Sequence, residues 1–109
     1  MPDFTIKAHD TYPSIEATLF RGSTPVDLTN ASGVKFIMAT APGGTVKIQA
    51  AGVIVDAAIG TVRYDWLAAD TATPGTYEAE WEVTWPTGKQ TFPTASYHEI
   101  AILADLDNA

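Results

Sequence analysis

Apolar and polar positions alternate most strictly between residues 76 and 85. Tyr77, Ala79, Trp81, Val83 and Trp85 fall on one side of an extended chain, and Glu78, Glu80, Glu82 and Thr84 on the other. Successive side chains of a strand point to opposite faces, so this pattern predicts a half-buried antiparallel strand. The same period recurs elsewhere. Residues 14–20 place Ile15, Ala17 and Leu19 inward, residues 34–39 place Val34, Phe36 and Met38 inward, and residues 61–66 bring Val62, Tyr64 and Trp66 together. Shorter strands are predicted at 4–7, 26–28, 45–49, 53–55, 90–92 and 97–103.

Turn chemistry separates these runs. Pro42, Gly43 and Gly44 form one strong turn signal, residues 86–89 (PTGK) a hairpin turn, and residues 21–25 another turn. Gly52, between two strand patterns, predicts a bend or bulge. Pro13 biases Tyr12 towards an extended conformation. Residues 68–72 give the one short helical turn, and residues 105–109 read as a frayed tail after a domain of residues 1–104. Many short strands at turn-length spacing predict an all-β sandwich or barrel. Two sheets packed face to face would bury Phe36, Tyr64, Trp66, Tyr77 and Trp81 between them.

Composition narrows the functional classes. The chain has 109 residues, which is the length of one domain. It has no cysteine, so neither a disulfide nor a thiolate metal site is available. The opening MPDFTIK lacks the basic and apolar regions of a signal peptide. No run of about 18 apolar residues predicts a membrane span. Six basic against thirteen acidic residues give a net charge of −7. Phosphate backbones and anionic membranes repel such a surface, so neither nucleic acid nor membrane is an expected partner. The charge serves solubility or suits a basic partner.

Candidate chemistry is sparse. His9 lies beside Asp10 with Ser14 nearby, but a catalytic triad is a matter of geometry, and no nucleophile-elbow motif accompanies these residues. His98 falls in the last strand, turned inward near an edge. Glu78, Glu80 and Glu82 form an acidic stripe with neighbours about 7 Å apart. That spacing is too wide for one calcium cage. The stripe is expected to be a solvent face balanced across strands by Arg63, Lys35 or Lys89, or else a partner contact. Asp105, Asp107 and Asn108 lack the Gly and downstream Glu of a calcium loop, and Gly43–Gly44 lacks the context of a nucleotide loop. No metal and no cofactor is therefore expected. Trp85, ending its strand before Pro86, could surface with Tyr12, Tyr97 or Phe92 as an apolar or sugar-binding patch.

Several of these segments, taken in order, resemble a known family. They are residues 4–7 (FTIK), 25–29 (PVDLT), 34–38 (VKFIM), 60–64 (GTVRY), Ala69–Asp70, 75–81 (GTYEAEW) and 91–93 (TFP). Together they resemble the immunoglobulin-like N-terminal domain of phage baseplate upper proteins, from about Phe4 to Ile102. The resemblance implies an immunoglobulin-like antiparallel β-sandwich and a non-enzymatic virion role in docking to tail, baseplate or capsid subunits. It implies assembly in the host bacterial cytoplasm and location in the virion. In those proteins a longer chain follows the domain. Here the sequence ends at Ala109, which suggests a stand-alone adaptor or a capsid decoration protein, and a homo-oligomer fits symmetric virion sites. A carbohydrate- or receptor-binding module of the same fold is the alternative. Within the resemblance, Tyr77 lies where such sandwiches carry a tyrosine corner, or is simply a core aromatic. The expected edges are the opening strand 4–7 and the final strand 97–103. The expected partner residues are Phe4, Ile6, Glu78, Glu80, Glu82, Trp85, Tyr97 and His98.

Overall fold

The computed structural model describes residues 3–41, 44–93 and 98–106. The strands are β1 (Phe4–Lys7), β2 (Ile15–Thr18), β3 (Phe20–Arg21), β4 (Thr24–Pro25), β5 (Gly33–Thr40), β6 (Val46–Ala51), β7 (Val53–Asp56), β8 (Thr61–Tyr64), β9 (Gly75–Trp85), β10 (Gly88–Phe92) and β11 (His98–Leu103). Two short 3₁₀ turns, Ala57–Ile59 and Ala68–Thr71, complete the regular structure of the described residues, so the protein is all-β. The large sheet runs β1-β11-β9-β5-β6, with β10 also paired to β9, and a smaller sheet runs β2-β8-β7. β3 and β4 form a separate small hairpin.

The alternating run of residues 75–85 organises the large sheet. β5 pairs with β9 along its whole length, from Gly33 opposite Thr84 to Thr40 opposite Tyr77. On the other side β9 is shared: β11 covers its first half and β10 its second. Phe92, Trp81 and Phe36 therefore form one row across the inner face. The smaller sheet closes over this row. Tyr64 stacks on Phe36 with ring centroids 4.7 Å apart, and Trp66 meets Phe36 edge-on at 5.7 Å. Phe36, Tyr64, Trp66, Tyr77 and Trp81 are all buried. Each large apolar side chain so buried contributes about 1.5–3 kcal/mol. The indole nitrogens of Trp66 and Trp81 have no hydrogen-bond partner among the described residues, a cost that the ring packing offsets.

The chain crosses from β6 to β7 at Gly52, whose N–H donates to the Val34 carbonyl at 2.8 Å. A Cβ there would lie 3.1 Å from the Arg63 carbonyl oxygen and 3.4 Å from the Trp81 ring, so close approach of the backbone explains the glycine. At the far side of β9, Tyr77 donates its hydroxyl to the Thr73 carbonyl at 2.6 Å. Tyr64 donates to the Asp70 carboxylate at 2.6 Å, and Asp70 also accepts the Leu67 N–H at 2.8 Å. These two phenols fix the crossover between the sheets at both of its ends.

Two expectations are corrected. The β-structure is not purely antiparallel, because β1 pairs with β11 in parallel, Phe4 opposite Ile100 through Lys7 opposite Leu103. Residues 26–28 form no strand. Val26 and Leu28 are buried, but their backbones bond to Leu19 and Ala57 rather than to a ladder, and the strand here is β4. The turn signal at Pro42–Gly43 and the tail residues Asp107 and Asn108 lie outside the described residues.

Candidate docking surfaces

The outer face of the large sheet carries the acidic stripe. Glu78, Glu80 and Glu82 stand outward on β9, and Glu99 of β11 lies directly opposite Glu78. Lys35 of β5 and Lys89 of β10 both reach Glu82, at 3.9 and 3.8 Å. At that separation and exposure such pairs contribute little stability. Arg63 does not join them. It lies on β8 in the other sheet and pairs with Asp65 at 2.9 Å, because the sheet to which a strand belongs is set by its pairing and not by its pattern. Desolvation first, then the charges of Glu78 and Glu82, hold the Glu80 carboxyl above the usual glutamate range. The stripe thus brings like charges together along one strand face.

The second surface is an open side between the two sheets. Among the described residues β1 pairs only with β11, and β2 only with β8, so both are edge strands there. Between them lies a cleft of about 270 Å³ lined by Asp3, Phe4, Ile15, Glu16, Ala17 and His98. Ile15 and Phe4 supply apolar walls, Phe4 resting 5.7 Å from the Trp66 ring. His98 sits opposite the inward-facing Ala79, which turns its imidazole between the sheets. Its Nε2 is buried and has no hydrogen-bond partner among the described residues. Burial holds the imidazole below its usual range, partly countered by the charge of Asp3. Asp3 is itself anchored, accepting the Glu99 N–H at 2.8 Å.

The third surface is the end formed by β3 and the β9–β10 hairpin. The Arg21 guanidinium lies 5.6 Å from the Trp85 ring centre and 5.9 Å from that of Phe92. Its Nη2 donates to Gln90 Oε1 at 2.7 Å, which fixes it in place. Trp85 therefore has a ring face covered by a cation, and Phe92 is buried. Tyr12, 84% exposed, lines a different hollow with Lys7 and Leu103. Of the expected companions of Trp85, Phe92 meets it edge-on at 6.4 Å but is buried, and Tyr12 lines another hollow, so neither joins it in an exposed patch.

The other candidates are also placed. Ser14 donates to Asp65 at 2.6 Å, so the Ser14 hydroxyl is committed to a surface carboxylate rather than to His9. Ile6 is buried, and β1 offers partners its backbone edge rather than that side chain. β11 is not an edge, because β1 covers it. Tyr97 lies outside the described residues. Asp3, Glu16 and Arg21 were absent from the sequence-derived candidates. Alternation did turn Ile15 and Ala17 inward, but nothing local shows that β2 ends a sheet.

These features define an all-β domain of two facing sheets with an acidic outer face and one open side. No family model matches the sequence, and no match was found among curated proteins.

Proposed function

We propose that this protein is an immunoglobulin-like docking module of a bacteriophage particle, holding subunits together without catalysing a reaction. The observation that carries the reading is the strand order. A sheet β1-β11-β9-β5-β6 faces a sheet β2-β8-β7, with the first strand parallel to the last. That arrangement, with the Tyr77 hydroxyl on a backbone carbonyl four residues upstream, fits the immunoglobulin-like pattern. The sequence resemblance to the baseplate domain, from about Phe4 to Ile102, is the second support for this reading.

Docking follows from the surfaces. Edge strands present unpaired N–H and C=O groups to a neighbouring chain. The acidic face favours a basic neighbour and discourages face-to-face self-association. Many copies on a symmetric particle add weak contacts into firm attachment. Purified particles labelled with antibody against this chain test the role. Label at the tail tip supports an adaptor, and label over the capsid supports decoration. Absence of label, together with absence of its peptides from mass spectra of the particles, removes the virion reading.

A further inference from the structure

We propose that the open edge of β2 is a strand-addition groove that takes an extended segment of a second protein, anchored by one lysine or arginine side chain in the cleft beside His98. The proposal rests on the docking reading and names the partner of that same open side.

Three independent features converge there. First, the smaller sheet has three strands, and β2 ends it with no backbone partner on its outer side among the described residues. Alternate N–H and C=O groups of Ile15–Thr18 therefore point away from β8, the template that an added strand reads. β1 does not fill this position, because it has joined the other sheet beside β11. Second, an added strand turns alternate side chains inward, and the cleft between β1 and β2 holds about 270 Å³ for one of them. A cavity of roughly 150 Å³ already holds a benzene ring, so a long side chain fits. Third, the polar groups of the cleft suit a cation. The His98 Nε2 stands buried and unpartnered among the described residues, able to accept one N–H when the ring is unprotonated, while Asp3 and Glu16 line the opening and the Asp3 charge acts on the imidazole. The partner's aliphatic stem lies along Ile15 and Phe4 while its charged head meets these groups. A second copy of this chain is a poor occupant, since a net charge of −7 on each copy opposes its approach.

The test uses a random library of short peptides displayed on filamentous phage, selected on the full chain. The expected result is enrichment of alternating, β-branched peptides with a single Lys or Arg at a fixed position. The enriched peptide, made synthetically, binds with a change in tryptophan fluorescence from Trp66. Replacing its basic residue by norleucine weakens binding by about tenfold or more, a difference of about 1.4 kcal/mol. Glu16→Lys, at an exposed rim position, weakens it similarly while leaving the urea midpoint near that of the parent. His98→Leu removes a buried nitrogen that has no hydrogen-bond partner among the described residues, so it keeps the fold and weakens the basic preference. Failure to enrich any peptide overturns the proposal. So does enrichment without a basic residue, binding indifferent to Glu16→Lys, or sedimentation showing a dimer that Glu16→Lys disrupts. This assay needs no particles. A chain missing from the virion would remove the virion reading and leave the groove standing, and a silent groove would leave particle labelling unaffected.

Discussion

Replacing Tyr77 by Phe isolates one hydrogen bond at the crossover. The phenol is 3% exposed, and its hydroxyl donates to the Thr73 carbonyl at 2.6 Å. The substitution keeps the ring in the core and deletes only the donor. Thr73 is exposed, so water can reach its carbonyl once the phenol is gone. The cost is therefore the net worth of one neutral hydrogen bond, about 0.5–1.5 kcal/mol, without an added penalty for a stranded buried group. A loss of 1 kcal/mol lowers Tm by about 4 °C in a domain of this size. Tyr64→Phe supplies the internal comparison. Its acceptor is the Asp70 carboxylate, so the bond is charge-assisted and the expected loss is about 1.5–3 kcal/mol. Urea unfolding followed by tryptophan fluorescence reads both, and only midpoints that move with an unchanged slope count as stability changes. A Tyr77→Phe midpoint equal to the parent's would refute the corner as a structural device. A Tyr77→Phe loss larger than that of Tyr64→Phe would refute the ranking by acceptor charge.

Other perturbations follow from the same geometry. Phe36→Ala empties the centre of the aromatic row, where Tyr64, Trp66 and Trp81 all touch Phe36, and should cost about 3–5 kcal/mol in urea unfolding. Gly60→Ala places a Cβ 2.5 Å from the Val26 carbonyl oxygen at a φ of 74°, whereas Gly22→Ala, at φ 63°, meets nothing within 4 Å. Gly22→Ala should therefore lose about 1–2 kcal/mol from the left-handed backbone alone, and Gly60→Ala clearly more by the same measurement. The folded state binds the Glu80 proton more tightly than the unfolded chain does, because desolvation and the flanking glutamates raise its pKa. Its favourable contribution is full below the unfolded value and is lost as pH rises through the folded value. Glu80→Gln should accordingly raise the urea midpoint at neutral pH and leave it unchanged well below the glutamate range.

Much of the architecture is written locally. The period of two in residues 76–85 places Tyr77, Ala79, Trp81 and Val83 inward, and all four are buried. Gly52 signals the crossing that the close Arg63 carbonyl imposes. What escapes the sequence depends on partners far along the chain. The parallel union of β1 with β11 joins residues at opposite ends of the sequence, and no local pattern encodes it. Arg63 and Glu82 lie on consecutive strands, β8 and β9, yet those strands belong to different sheets. Trp85 looks like a surface aromatic until Arg21, remote in sequence, closes over it. The cleft at His98 is likewise made by an edge, and an edge is a statement about which strand is missing beside it.

The parallel pairing of β1 and β11 also governs how the domain answers to mechanical load. Because the two strands run in the same direction side by side, Phe4 leads in at one end of the pair and Leu103 leads out at the other. Tension drawn between the leading and trailing segments pulls these strands past each other along their length. The load then falls on the hydrogen bonds of the pair together, in shear, rather than on one bond after another as in unzipping. A module wired in this way grips hardest along the direction of these two strands, so the direction of pull, as well as the energy of the fold, sets the force at which it yields.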